Sequence, residues 1–164
     1  MNQLKELLLR TPRLTLAVAE SVTCGHVQAR IGAISGASDF FLGGITTYSL
    51  DQKVRHLGVD RAIAEPVNSV SAAIAEQMAR GVCQLFNANV GLATTGYAEP
   101  SAPWGILRPR AWWACAQALG DGKFAMRSGL IECPGLGRVA AQEAFAAAAL
   151  EALIAYLRDA RSIK

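Results

Sequence analysis

Apolar residues along this chain fall into two rhythms, one of period near 3.6 and one of short unbroken runs, and their alternation outlines the fold. Leu4, Leu7 and Leu8 recur at helical spacing over residues 2–9, and Thr11-Pro12 stops them, which predicts a short amphipathic helix. Residues 14–19 form a brief continuous apolar run, the pattern of a strand buried on both faces. Ser21 or Thr23 can then cap a helix from about 24 to 34. After the Ser35-Gly36-Ala37-Ser38 loop, residues 40–48 predict a second strand, where Gly43-Gly44 marks a bulge or a close backbone approach.

The same alternation continues downstream. A helix is predicted over 50–57, ending at Gly58, and Glu65-Pro66-Val67-Asn68 reads as a connector. Ser71 caps a long helix through Phe86, with Ile74, Met78, Val82 and Leu85 on one stripe and Asn87-Ala88-Asn89 as its stop. Residues 90–95 predict a buried strand closed by Gly96, followed by a loop rich in breakers from 99 to 105. Two strand-like runs, 110–119 and 123–131, flank Gly120-Asp121-Gly122, a hairpin signal. The last element is an Ala-rich helix over 138–157 carrying Phe145, Leu153 and Tyr156, after which the tail 158–164 is expected to fray. Strands alternating with helices, then a hairpin, then a closing helix predict a three-layer α/β/α sandwich around a mixed, mostly parallel sheet, with residues 1–164 as a single domain.

Composition narrows the function classes. At 164 residues, 52% hydrophobic and 18% charged, the chain can bury a core without disulfides or metals, and its apolar excess favours a homodimer or higher homo-oligomer. The net charge of +3 is scattered, with no basic run and no basic-aromatic interleaving, so nucleic acid is not expected as a partner; a small anionic ligand is compatible with the mild positive field. Cys24, Cys83, Cys115 and Cys133 lack CxxC or zinc-site spacing, and no signal-peptide pattern opens the chain, which points to a reducing cytoplasm. Three of the cysteines lie in apolar surroundings, where the residue acts as a small hydrophobe; Cys24, beside Ser21, is the exception. No apolar run approaches the roughly twenty residues that span a bilayer, so a soluble protein is expected.

Candidate chemistry lies at the carboxyl ends of the predicted strands, where open α/β sheets gather their sites. Three such ends carry hydroxyls: Ser21 with Thr23, Tyr48 with Ser49, and Thr94 with Thr95. A serine hydroxyl is a weak nucleophile and needs a base, yet His26 falls inside a predicted helix and His56 near a helix end. A lysine desolvated by the core can serve instead, and Lys53 is the candidate, with the Tyr48 phenol placed to orient it or relay the proton. Each of these residues also has an ordinary structural use: Ser21 as a helix cap, Thr95 in a turn, Lys53 as an exposed solubilising residue. Glu20 can orient the site or form a buried ion pair.

Four motifs in order, Ala19-Glu20-Ser21-x-Thr23-x-Gly25, residues 41–59 around Gly43-Gly44-Ile45-Thr46-Thr47-Tyr48-Ser49 and Lys53-Val54-Arg55, then Val70-Ser71, then Ala93-Thr94-Thr95-Gly96, resemble the CinA carboxy-terminal domain family. Its members include nicotinamide mononucleotide deamidases, which hydrolyse the carboxamide to nicotinate mononucleotide and ammonia. The resemblance implies that Ser21 attacks the carboxamide carbon, Lys53 removes the serine proton and Tyr48 positions the pair. It further implies that Thr23, Gly25, Gly44, Thr95, Gly96 and Arg138 contact substrate or oxyanion, that no metal or cofactor takes part, and that the protein forms dimers.

The chain departs from the family pattern near this site. Cys24 stands where the family has the first glycine of a pair, and Leu50 where it has asparagine. The glycine-rich stretch after Thr95-Gly96 becomes Tyr97-Ala98-Glu99-Pro100-Ser101-Ala102-Pro103-Trp104, which adds a carboxylate and removes backbone donors. Gln142 replaces an expected arginine. Three functions remain open at this point: a deamidase whose phosphate site is rebuilt from Arg138, Arg108 or Arg110; an amidase for a substrate without phosphate, served by Trp104 and Tyr97 as stacking surface; and a non-catalytic binding or assembly module.

Overall fold

The computed structural model describes residues 2–162. Its elements in chain order are α1 (Asn2–Leu9), β1 (Leu16–Glu20), α2 (His26–Gly32), β2 (Phe41–Thr46), α3 (Leu50–Leu57), α4 (Arg61–Ala64), α5 (Ala72–Phe86), β3 (Val90–Tyr97), β4 (Arg110–Gly120), β5 (Lys123–Glu132) and α6 (Arg138–Ser162). Short 3-10 turns occupy Ala37–Asp39, Glu65–Val67 and Ala102–Trp104. The sheet order is β2-β1-β3-β4-β5. β1 pairs parallel with β2 and β3, and β4 pairs antiparallel with β3 and β5, so four strands run one way and β4 runs against them.

Period-two alternation in β1 divides the core into two halves. Leu16 and Val18 point to a layer built by α1, α2 and α6, among Leu4, Ile31, Leu150 and Leu153. Ala17 and Ala19 point the other way, to a layer of α3, α4 and α5 around Ile74, Met78 and Val82. Both faces of the sheet are therefore covered, and the expected three layers are present. The small residues on the second face let α5 lie close: a Cβ built on Gly91 of β3 would fall 2.1 Å from the Ala79 carbonyl oxygen of α5, and one on Gly81 of α5 would fall 2.1 Å from the carbonyl oxygen of Leu57 at the end of α3.

Several boundaries differ from the sequence expectations for definable reasons. The helix expected from about 24 begins at His26, because Cys24 (φ 46°) and Gly25 (φ 98°) take left-handed conformations that no α-helix continues. Neither Ser21 nor Thr23 caps it; the Glu20 carboxylate does, accepting the N–H groups of Gly25, Val27 and Gln28. In β2 the register against β1 skips Leu42, which puts a bulge just before the Gly43-Gly44 pair, and Gly44 itself marks a close approach, since a Cβ there would sit 2.7 Å from the Val18 carbonyl oxygen. Gly96 does not close β3 but lies within it opposite Ala111, where any Cβ would sit 2.3 Å from the Arg110 carbonyl oxygen. Leu85 is 47% exposed and off the buried stripe of α5, whereas Cys83 is on it.

The expected fraying from 158 is also displaced, since α6 continues to Ser162; residues 163–164 lie outside the described residues. By length and composition Arg138–Arg161 is apolar enough to cross a bilayer, contrary to the expectation from run lengths, and its many alanines are the reason. One stripe of it, including Phe145, Ala149, Leu153 and Leu157, is buried against the sheet.

Candidate active site

Because β1, β2 and β3 are parallel neighbours, their carboxyl ends deliver Ser21, Thr47 and Thr95 to one end of the sheet. A cleft of about 540 Å³ opens there, with Ser21 and Lys53 in its wall. Lys53 belongs to the second half of the first turn of α3, a helix that starts after Ser49 and ends at Gly58 in the left-handed conformation. That placement turns its side chain inward: Lys53 is 2% exposed.

The Lys53 amine has three partners, the Ser21 hydroxyl at 2.9 Å, the Thr47 carbonyl at 2.8 Å and the Tyr48 carbonyl at 3.0 Å. No carboxylate forms an ion pair with it among the described residues. Burial therefore penalises the ammonium form and lowers the Lys53 pKa to about 8. A neutral amine fits the three contacts: two N–H bonds go to the carbonyls, and the lone pair accepts the Ser21 O–H.

Ser21 is fixed by its backbone and by its neighbours. Its N–H donates to the Thr94 carbonyl at 3.1 Å, extending the β1–β3 ladder by one step. Glu20, fully buried, accepts from the Thr23 hydroxyl at 2.6 Å as well as from the three helix N–H groups, so both its oxygens are occupied. With the Thr23 proton committed to that carboxylate, the 2.7 Å contact between Thr23 and Thr94 has Thr94 as donor. The turn after β1 is thus held by a buried polar network, and Gln142 adds a bond from its amide to the Val22 carbonyl at 2.9 Å. Val22 lines the cleft, and its N–H, unlike those of Ser21 and Cys24, enters no backbone hydrogen bond in this turn.

The other sequence candidates divide into two groups. Tyr48, Thr95, Gly96 and Arg138 line the cleft; Thr23, Gly25 and Gly44 do not. Thr23 and Gly25 belong to the Glu20 network, and Gly44 packs in β2 against Gln28 and the Val18 carbonyl. Tyr48 touches the lysine through its carbonyl, while its phenol is 2.8 Å from Arg138, which donates to it. The Thr95 hydroxyl donates to the Ser69 carbonyl at 2.8 Å. Of the three arginines considered for a phosphate, only Arg138 reaches the cleft; Arg108 faces Glu132, and Arg110 lies on β4. Trp104 is outside the cleft wall, whereas Tyr97 is in it.

A segment read from sequence only as a connector supplies the facing wall. Asn68 (φ 49°) and Ser69 (φ 60°) are consecutive left-handed residues, and the Asn68 amide donates to the Tyr97 hydroxyl at 3.0 Å. The mouth is crossed by Arg138, whose second guanidinium nitrogen pairs with Glu99. Among the described residues, no group of three or more His, Cys, Asp or Glu could hold a metal ion.

The sequence model of the CinA C-terminal domain matches residues 1–157. This chain belongs to the CinA C-terminal domain family. Among relatives, a CinA-like protein of Chlorobium limicola is 38% identical over 154 residues, covering 89% of this chain and 34% of that protein. A CinA-like protein of Salinibacter ruber is 37% identical over 148 residues, covering 87% of this chain and 34% of the relative. The chain thus spans about a third of the length of these relatives. Solved CinA-superfamily structures share its fold: that from Enterobacter cloacae superposes with a TM-score of 0.84 at 24% identity, covering 95% of this chain and 89% of the other. The competence/damage-inducible protein of Agrobacterium tumefaciens gives 0.76 at 28% identity, with coverages of 95% and 96%.

Proposed function

We propose that this CinA-family domain is a serine-lysine amidohydrolase that cleaves a nicotinamide-type carboxamide, with nicotinamide mononucleotide, converted to nicotinate mononucleotide and ammonia, as the substrate the family resemblance supplies. The observation that carries this reading is the 2.9 Å contact between the buried, carboxylate-free Lys53 amine and the Ser21 hydroxyl in a cleft wall. A solubilising lysine would point outward, and a binding module would have no use for a desolvated amine aimed at a serine.

The chemistry follows from those two groups. Neutral Lys53 takes the hydroxyl proton as Ser21 Oγ bonds to the carboxamide carbon, and the N–H of the cleft residue Val22, which enters no backbone hydrogen bond in this turn, is the donor available to the oxyanion. The resulting ammonium returns its proton to the amide nitrogen as the C–N bond breaks, releasing ammonia and leaving an ester on Ser21. Water then attacks the ester carbon, Lys53 again accepting a proton, and the carboxylate departs as Ser21 regains its hydrogen. Ammonia release by the purified chain from nicotinamide mononucleotide, nicotinamide riboside and nicotinamide tests the proposal. Turnover that Ser21→Ala abolishes supports it, and no release from any of the three, or full turnover by Ser21→Ala, overturns it.

A further inference from the structure

The mouth of the cleft carries an ion pair in the place where a substrate's distal end must lie. Arg138, the first residue of α6, spans from the Tyr48 hydroxyl on one side to the Glu99 carboxylate on the other, and all three residues line the cleft. Its guanidinium is thus already matched by an anion of the chain itself. Glu65 also lines the cleft, where Arg61 pairs with it, so both carboxylates of the wall are matched by guanidinium groups of the chain itself. The helix terminus beside Ser21 offers no alternative anion site, because Glu20 occupies the N–H groups at the start of α2.

We propose that Glu99 sets the charge of the accepted substrate: the cleft takes a carboxamide borne on a neutral or cationic ring and discriminates against the same compound carrying a phosphate. A phosphate must displace Glu99 from Arg138 and then sit beside the released carboxylate, whereas a compound without phosphate leaves that pair intact and offers its pyridinium ring to the exposed Tyr48 ring. The pair is solvent-exposed and therefore weak enough to be exchanged, so the preference is one of degree. This inference rests on the amidohydrolase reading for the identity of the ligand, and its test is binding, which does not require turnover.

The dissociation constants of nicotinamide riboside and nicotinamide mononucleotide are measured by calorimetry on the full chain carrying Ser21→Ala, with and without Glu99→Gln. The riboside is expected to bind the tighter of the two when Glu99 is present, and Glu99→Gln should shift the ratio toward the mononucleotide by about tenfold, an effect that added salt reduces. Equal or tighter binding of the mononucleotide with Glu99 in place, a ratio unmoved by Glu99→Gln, or binding of neither compound overturns the proposal. The expected ratio without ammonia release from either compound by the unsubstituted chain overturns the amidohydrolase reading alone.

Discussion

Lys53 and Ser21 meet at 2.9 Å although 32 residues separate them, and the amine is held there by two backbone carbonyls and no carboxylate. Burial without a carboxylate raises the neutral share of the base well above that of an exposed lysine. With a pKa of about 8, roughly a tenth of the lysine is unprotonated at pH 7 and most of it at pH 9. The amidase rate kcat/KM is therefore expected to climb about tenfold from pH 7 to pH 9 and level off, following the neutral amine. A profile that is flat across this range, or that falls, removes Lys53 as the base.

The same burial makes a stability prediction that needs no substrate. Unfolding returns Lys53 from about 8 to its ordinary 10.5, so between those values the unfolded chain binds more protons and stability rises with pH. Below pH 8 the full penalty, on the order of 3 kcal/mol, is present. Lys53→Met cannot titrate. The stability of the wild type minus that of the variant should increase by about that amount between pH 8 and 10.5, as measured by urea denaturation at fixed ionic strength, whatever the offset at pH 7. A constant difference contradicts the lowered pKa.

Glu20 supports a third prediction. Each of its oxygens accepts hydrogen bonds from this turn: from Thr23, Gly25 and Val27 on one, from Gln28 on the other. Glu20→Gln places an NH₂ against at least one backbone N–H and removes the charge that complements the start of α2, a loss of about 2–4 kcal/mol. Denaturation midpoints read the stability, and kcat reads the position of Ser21. A variant as stable as the wild type would mean that the network is not what holds the nucleophile's turn.

How far the sequence anticipates this site depends on how local each cause is. The bounds of α3 and α5 are legible because Ser49, Gly58, Ser71 and Asn87 are stop and start residues within a turn of the elements they bound. The meeting of Ser21 and Lys53 is legible once β1 and β2 are taken as parallel neighbours, since their carboxyl ends then adjoin. Glu20 as a cap is not, because it precedes the helix by more than the usual spacing and reaches back over a left-handed Cys24-Gly25 pair. The Asn68-Ser69 wall and the Arg138–Glu99 pair are hidden for a similar reason. The first requires positive φ at residues other than glycine, and the second joins positions 39 apart through two loops with no periodic signal.

Gly81 links the core to the chemistry. A methyl group there would meet the Leu57 carbonyl oxygen at 2.1 Å and its carbonyl carbon and Cα at 2.8 Å, all backbone atoms that cannot swing aside. Relief requires α3 to move off α5, and α3 carries Lys53. Gly81→Ala is therefore expected to cost about 1–3 kcal/mol and to lower kcat more than it raises KM, because the amine retreats from Ser21 while the rest of the cleft stays in place. Gly32 in α2 has no atom within 4 Å of a built Cβ and no positive φ, so Gly32→Ala should stabilise the protein by about 0.4–1 kcal/mol with kcat unaltered. Equal effects of the two substitutions on kcat would break the proposed coupling between the α3–α5 contact and the position of Lys53.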